Sequence, residues 1–107
     1  MSSAAESDDA VDLSGPESLA DMTAFQRDIL RVLDVENHQK GLAIKEKLAD
    51  YYGTEVNHGR LYPNLDDLVD AGFIDKSERD ARTNDYALTD AGEKALSDRD
   101  AWEWGDA

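Results

Sequence analysis

The sequence predicts a mainly α-helical fold with a small β-hairpin, of the α+β class. Three observations predict it. Apolar residues recur at helical spacing in three successive segments, two short segments of alternating polarity follow, and a last helical segment begins after a capping threonine. With 107 residues, the chain has room for one small core rather than for two domains.

The first helix is predicted to begin at Met22 and Thr23. Thr23 is a good N-cap, and Gln26 three residues later completes the pattern of a capping box. The apolar residues that follow are spaced as on one face of a helix: Phe25, Ile29, Leu30 and Leu33. A polar loop over residues 34–41 ends this helix.

A second helix is expected over residues 42–52 and a third over residues 57–71. The third helix takes Asn57 as its N-cap, because a side-chain amide oxygen can accept a bond from a free N–H of the first turn. Its expected buried line is Leu61, Leu65, Leu68 and Val69. Gly72 is expected to end this helix in the left-handed conformation.

Residues 73–76 and 85–88 are predicted to form two short strands, because their side chains alternate between two faces. A polar loop over residues 77–84 joins them. Thr89 is expected to cap a last helix that runs through Trp102. Three helices, a hairpin or wing, and a C-terminal helix, in this order, make a winged helix-turn-helix.

Residues 1–21 are predicted to be a disordered acidic tail, and residues 22–107 to be the folded domain. The tail holds six acidic residues and no basic one, among serines, a glycine and a proline. A segment of this composition buries too little apolar surface to offset the entropy of ordering it.

Two motifs resemble the PadR-like family of transcriptional regulators. Residues 59–74 read GRLYPNLDDLVDAGFI, which is similar to the family's Gly-x-Leu-Tyr-Pro-x-Leu-x-x-Leu followed by Gly-Leu-Ile. Residues 86–92 read YALTDAG, which resembles the family's wing exit, Tyr-x-Leu-Thr-x-x-Gly. The resemblance covers residues 23 to about 100, and the short acidic form looks most like haloarchaeal members.

The resemblance implies that the third helix enters the major groove of double-stranded DNA and that the hairpin is a wing. Arg60 and Asn64 are expected to contact bases, since arginine suits guanine and asparagine suits adenine. Arg79 and Arg82 are expected to reach the minor groove or its phosphates. The complete set of expected DNA-binding residues is Lys45, Lys47, Asn57, His58, Gly59, Arg60, Tyr62, Pro63, Asn64, Arg79, Arg82, Thr83 and Asn84. A solvated helix face and an ordinary surface loop are the alternative interpretations.

A homodimer is expected from the two tryptophans, Trp102 and Trp104, which lie in a polar context near the end of the chain. Large aromatic residues in such a place commonly pack against a partner, and a two-fold interface between the last and first helices would use both. The expected interface residues are Phe25, Ile29, Leu96, Trp102 and Trp104. The alternative is that Trp102 folds back onto its own chain.

The chain is strongly acidic, with a formal net charge of −14. Aspartates outnumber glutamates 17 to 8, and such a surface suits a protein that stays hydrated in concentrated salt. We therefore expect a halophilic, archaeal protein, and salt cations bound at the DNA interface, since phosphates and carboxylates repel each other without them.

Several classes of protein are disfavoured. The chain has no cysteine and no catalytic constellation, and its two histidines lack ligand spacing, so no enzyme, metal or cofactor is expected. No stretch approaches the roughly 20 apolar residues of a membrane helix, and no secretory signal is visible, so a cytoplasmic location is expected. The rival interpretations are a winged-helix protein–protein interaction module without DNA binding and an acidic DNA mimic. The acidic balance supports the interaction module, and Arg60, Arg79 and Arg82 oppose it. An acidic DNA mimic would need its carboxylates arrayed at the spacing of phosphates.

Overall fold

Four α-helices and a three-stranded antiparallel sheet form residues 18–105, the part of the chain that the computed structural model describes. A short 3-10 helix, Leu19–Asp21, precedes them. The elements in chain order are α1 (Ala24–Val35), β1 (Gln39–Lys40), α2 (Gly41–Tyr52), α3 (His58–Asp70), β2 (Ile74–Asp80), β3 (Thr83–Leu88) and α4 (Asp90–Trp104). The predicted winged helix-turn-helix is confirmed.

The predicted start of α1 and the predicted end of α3 are confirmed in atomic detail. The polar loop predicted over residues 34–41 is shorter than expected, because α1 continues to Val35, β1 lies inside the predicted loop and α2 begins at Gly41. The Gln26 N–H donates to the Thr23 hydroxyl, and the Thr23 N–H donates to the Gln26 side chain, each over 3.1 Å, which makes the capping box. Gly72, with a φ of 88°, ends α3. The Phe73 N–H donates to the Leu68 carbonyl over 3.0 Å, as in a Schellman motif.

The folded part begins earlier than residue 22. Leu19 is only 5% exposed and packs in the core beside Met22, so the boundary predicted at residue 22 is too late. The sequence signal was weak because Leu19 is a single apolar residue in an acidic stretch. The rest of the predicted tail, residues 1–17, lies outside the described residues.

The core is built where α3 packs against α1 and α2. Its fully buried side chains include Ile29, Leu30, Leu33, Ile44, Leu48, Leu61, Leu65 and Leu68. Each such leucine or isoleucine stabilises the fold by about 1.5–3 kcal/mol. The predicted buried line of α3 is confirmed at its three leucines, whereas Val69 is only half-buried.

The wing is a tighter hairpin than predicted. The sheet has the order β1-β3-β2, and the pairs Ile74–Leu88 and Lys76–Tyr86 confirm the expected alternation. The loop predicted over residues 77–84 is wrong, because both strands continue to a two-residue turn. These residues are mostly exposed on both faces and so carry no apolar alternation, although their backbones pair.

The tip of the wing is held by Asp80. Its carboxylate accepts a hydrogen bond from the Arg82 N–H over 3.0 Å, and this bond lowers the pKa of Asp80. A register shift between Glu78 and Asp80 makes Arg79 the extra residue of a β-bulge. The bulge and the capped turn together set the direction of the tip.

Substitution of Gly72 tests the C-cap of α3. A Cβ at this residue meets no atom within 4 Å, so Gly72→Ala causes no steric clash. Its only cost is the free energy of placing an alanine in the left-handed backbone conformation. We expect a loss of about 1–2 kcal/mol in the free energy of unfolding by urea. Gly72→Asn is the matched control and should lose less, since asparagine tolerates this conformation. An alanine variant as stable as the unaltered protein would contradict the assignment.

Candidate nucleic-acid interface

The first turn of α3 is the exposed start of the predicted recognition helix. His58, Gly59 and Arg60 are all exposed. Asn57 caps the helix as predicted, since its side-chain oxygen accepts the Gly59 N–H over 2.6 Å. Pro63 lies on the exposed face inside a continuous helix, and it leaves the Gly59 carbonyl without its intrahelical donor.

Arg60 is oriented by an aromatic pair formed by Phe25 at the start of α1 and Tyr52 at the end of α2. Its guanidinium carbon lies 3.9 Å from the centroid of the Phe25 ring. That ring stacks on Tyr52, whose hydroxyl donates to Asp28 over 2.6 Å. Burial and this bond raise the pKa of Tyr52. A stacked guanidinium still presents its N–H edge, which is the edge that pairs with guanine.

Asn64 is expected to contact bases, but its side chain already forms two hydrogen bonds within the chain. Its side-chain oxygen accepts a hydrogen bond from the Gln26 amide over 3.0 Å, and its own amide donates to the Arg60 carbonyl over 2.8 Å. The residue is half-buried between α1 and α3. The structure therefore places Asn64 in the contact between the two helices, where it also satisfies the buried side chain of Gln26.

Tyr62 packs against the start of α2. A Cβ at Gly41 would lie only 2.5 Å from the Tyr62 hydroxyl oxygen, so glycine is required for this approach. The ring of His58, one turn before Tyr62, lies 4.3 Å from the Tyr62 ring. The exposed first turn of α3 is therefore continuous with the start of α2.

A cleft of about 230 Å³ opens where α3, the start of α2 and the wing meet. We call it the basic cleft, and its lining residues are Lys40, Gly41, Leu42, Tyr62, Arg82, Thr83, Asn84 and Tyr86. It brings together predicted site residues from α3 and from the wing. Lys40 was missed, because a two-residue strand gives no periodic signal in the sequence.

The two arginines of the wing have different surroundings. Arg82 is exposed in the turn and lines the basic cleft. Arg79 instead forms an ion pair with Asp85 on β3. Thr83 and Asn84 line the basic cleft beside Arg82.

The two lysines predicted on α2 also differ. The Lys47 ammonium lies 2.6 Å from the Glu36 carboxylate, so this charge is already paired within the chain. Lys45 is half-buried and follows Gly41 by one helical turn, which places it on the side of α2 that faces the basic cleft.

Acidic residues follow the first turn along α3. Asp66, Asp67 and Asp70 form what we call the acidic stripe, and Asp66 and Asp70 are exposed. The Lys76 ammonium of β2 lies 3.5 Å from the Asp66 carboxylate. Negative charge therefore lies on the same helix as the candidate base reader, Arg60.

Three of the five predicted interface residues are not on the surface. Phe25, Ile29 and Leu96 are 3%, 0% and 3% exposed, because they fill the chain's own core. The helical pattern that marked them as apolar does not distinguish a core from an interface. Trp102 and Trp104 are 73% and 79% exposed, so they have not folded back onto the described part of the chain.

Beside Trp102 lies an apolar groove of about 720 Å³ between α4 and the 3-10 helix. We call it the C-terminal groove, and its apolar lining is Leu19, Ala20, Phe73, Ala91, Ala95 and Trp102. The groove and the exposed Trp102 side chain therefore form one apolar surface along α4.

A three-helix core, an exposed helix start and a wing that meets it across a basic cleft define a winged-helix domain of the DNA-binding class. Residues 29–98 match the sequence model of the family described as "Transcriptional regulator PadR-like family". The chain belongs to this family and is a DNA-binding transcriptional regulator of the PadR-like type. No curated protein matches it at a significant level.

Solved structures agree with this assignment. The chain is 59% identical to RosR of H. salinarum from crystals grown from NaBr, with a TM-score of 0.77, and the match covers 79% of this chain and 76% of that one. RosR in its complex RosR-S1 gives 58% identity and a TM-score of 0.78 over 80% and 76% of the two chains. The expected resemblance to haloarchaeal members is confirmed.

A more distant similarity links the chain to a complex with DNA. PadR of Bacillus subtilis with operator DNA is 28% identical, with a TM-score of 0.59 over 72% of this chain and 46% of that one. Within residues 18–105, no helix combines the length and the apolarity needed to cross a membrane.

Proposed function

We propose that this regulator binds a pseudo-palindromic DNA site as a homodimer, with one α3 in the major groove of each half-site. The observation that carries the proposal is the contact between His58 and Tyr62. It joins the exposed first turn of α3 to the basic cleft, so that helix and wing offer one continuous surface to a duplex. A dimer with two-fold symmetry presents the same surface twice, so it matches a DNA site whose two halves are related by the same symmetry.

The contacts divide into two kinds. Arg60 is the base reader, because its guanidinium edge is free while its face is stacked on Phe25. Lys40, Lys45 and Arg82 contact the phosphate backbone, together with the hydroxyls of Tyr62 and Thr83 in the basic cleft. His58, at the exposed start of α3, is a further contact to the phosphate backbone.

The homodimer is supported by the surface of α4. Trp102 and Trp104 are two large exposed aromatic residues, and the C-terminal groove lies next to them. Burial of two tryptophans from each protomer gives the apolar anchor that a stable interface needs. The Arg31–Asp100 ion pair between α1 and α4 holds this helix in place.

The protein acts by binding rather than by catalysis, and it acts in the cytoplasm, where the chromosome of a microbe lies. The exposed carboxylates of α3 offer no pair of environments that would separate two pKa values for acid–base work. The acidic stripe favours one rival function, which is the capture of a basic protein partner. Mobility shift with genomic DNA fragments in concentrated KCl separates the two, since the rival predicts no shifted band.

Arg60→Ala tests the base reader. We expect a loss of roughly 1–3 kcal/mol in DNA-binding free energy and a relaxed preference at one position of each half-site. Lys47→Ala removes the same charge, but from a lysine paired with Glu36, and should change affinity little. Fluorescence anisotropy with operator variants measures both quantities. Unchanged affinity and unchanged sequence preference in a folded Arg60→Ala variant would refute the assignment.

The double variant Trp102→Ala/Trp104→Ala tests the dimer. Because the interface loses its aromatic anchors, we expect a monomer by light scattering and weaker binding to a full two-half-site operator. Tyr51→Ala is the matched control, since Tyr51 is 80% exposed at the far end of α2. If the double variant remains dimeric, the interface lies on another surface.

Salt dependence tests the bound cations. An ordinary basic reader loses affinity with a slope of about −0.9 per phosphate contact on logarithmic axes. Here cations are expected to be taken up between the acidic stripe and the phosphates, and at 1 M salt the screening length is only about 3 Å. We therefore expect affinity that is flat or rises with KCl over the molar range.

Substitution of the acidic stripe by asparagine (Asp66→Asn, Asp67→Asn and Asp70→Asn) should restore the ordinary negative slope. An equal number of exposed carboxylates outside α3, replaced by Asp50→Asn, Asp90→Asn and Glu93→Gln, serves as the control and should leave the slope unchanged. Calorimetric titrations that show a steep loss of affinity with KCl in the unaltered protein would disprove the uptake of cations.

A further inference from the structure

Asp85 on β3 is a buried carboxylate that the DNA contacts above do not use. Its side chain is 10% exposed, and a buried charge is stable only when it is paired. Two partners from different elements meet it. Arg79 of β2 forms an ion pair with one oxygen, and His38 Nδ1 lies 3.2 Å from the other.

His38 has an unusual backbone. Within residues 18–105 it is the only non-glycine residue with a positive φ, at 63°. Such a conformation persists only where the surroundings determine it more strongly than the local preference of the chain. The contact with Asp85 is a specific restraint of that kind, and it joins the loop after α1 to the wing.

Neighbouring contacts reinforce this connection. The Leu88 N–H donates to the Asn37 side-chain oxygen over 2.9 Å. Strand β1 then pairs with β3 through Gln39–Tyr86 and Lys40–Asp85. The base of the wing is therefore attached to the segment that leads directly into α2.

Arg79 connects this base to the tip. It is the extra residue of the β-bulge, where the strand bends and its twist increases. Because its guanidinium is bound to Asp85, the bend is fixed relative to β3. We call His38, Arg79 and Asp85 the wing cluster.

We propose that Asp85 is a positioning residue for DNA binding, which holds the wing through Arg79 and His38 so that Arg82 meets the DNA backbone. Arg79 then acts through the position of the wing and not as a phosphate contact of its own. The inference rests on the proposed function, because it assigns a role relative to a bound duplex.

The sign of one substitution separates this role from simple electrostatics. Asp85→Asn removes a negative charge, and Coulomb repulsion alone predicts tighter binding to phosphates. A positioning role predicts weaker binding, since the tip is no longer held. Asp75→Asn removes an exposed carboxylate from the same face of the sheet and is the matched control.

The first experiment measures DNA affinity by anisotropy at one KCl concentration. We expect Arg82→Ala to lower affinity about three- to tenfold in the unaltered chain, and Asp85→Asn to lower it by a similar factor. In the Asp85→Asn background, Arg82→Ala should cost less than about twofold, because the contact is already lost. Asp75→Asn should bind at least as tightly as the unaltered protein.

Two results would overturn the inference in a folded variant. One is an Asp85→Asn protein that binds as tightly as Asp75→Asn. The other is an Arg82→Ala cost that is undiminished in the Asp85→Asn background. Thermal unfolding checks the fold. If Asp85→Asn does not fold, Arg79→Gln takes its place in the comparison with Arg82→Ala and in the measurement of the position of the wing, because neither depends on the sign of the removed charge.

A second experiment needs no DNA. The chain has no cysteine, so spin labels can be placed only at Ala81→Cys in the wing turn and Glu46→Cys on α2. Labelled protein is mixed with an excess of unlabelled protein, so that in a dimer only the distance within one protomer is measured. We expect a narrow distribution in the otherwise unaltered chain and in Asp75→Asn, and a broad or shifted one in Asp85→Asn. An identical distribution in Asp85→Asn would disprove the positioning role.

The two experiments distinguish the possible failures. If the unaltered protein binds no DNA, the proposed function fails, and the role of Asp85 toward DNA fails with it. The distance measurement then still decides whether the wing cluster sets the position of the wing.

Discussion

The burial of three leucines fixes the rotation of α3, and the rest of the molecular surface depends on that rotation. Leu61, Leu65 and Leu68 are each 0% exposed. A helix with a fully buried stripe cannot turn about its axis without exposing apolar surface, at about 25 cal/mol for every Å². The polar residues between the leucines are therefore held at fixed angles around the helix, whatever their own contacts are.

This constraint divides the remainder of α3 into surfaces with different roles. One flank turns Arg60 and Asn64 toward the start of α1, and the other turns His58 and Tyr62 toward α2 and the wing. The side farthest from the core carries Gly59 and Pro63, and then acidic residues. The helix α3 thus combines one cationic side chain, Arg60, at its start with negative charge farther along. Dissolved cations weaken the repulsion between such carboxylates and other negative charges.

The sequence was sufficient for the parts of the fold that leave a periodic or capping signal. Thr23 with Gln26, and the glycine after α3, gave the helix ends because each fits a specific set of backbone hydrogen bonds. It was insufficient where pairing does not depend on side chains, as in β1 and the outer half of the wing. The predictions that Asn64 contacts bases and that Ile29 lies at a dimer interface differ from the observed contacts for a related reason. Spacing shows which residues share a helix face, but it does not show which neighbouring element covers that face.

The short strand β1 has a consequence for how the molecule opens. It is only two residues long, yet it pairs with β3 on one side and leads into α2 without a linker. The hydrogen bonds that protect the base of the wing and those that order the start of α2 are therefore broken or kept together. We therefore expect these two regions to exchange their amide hydrogens as one cooperative unit, and the turn at the tip of the wing to exchange independently of it.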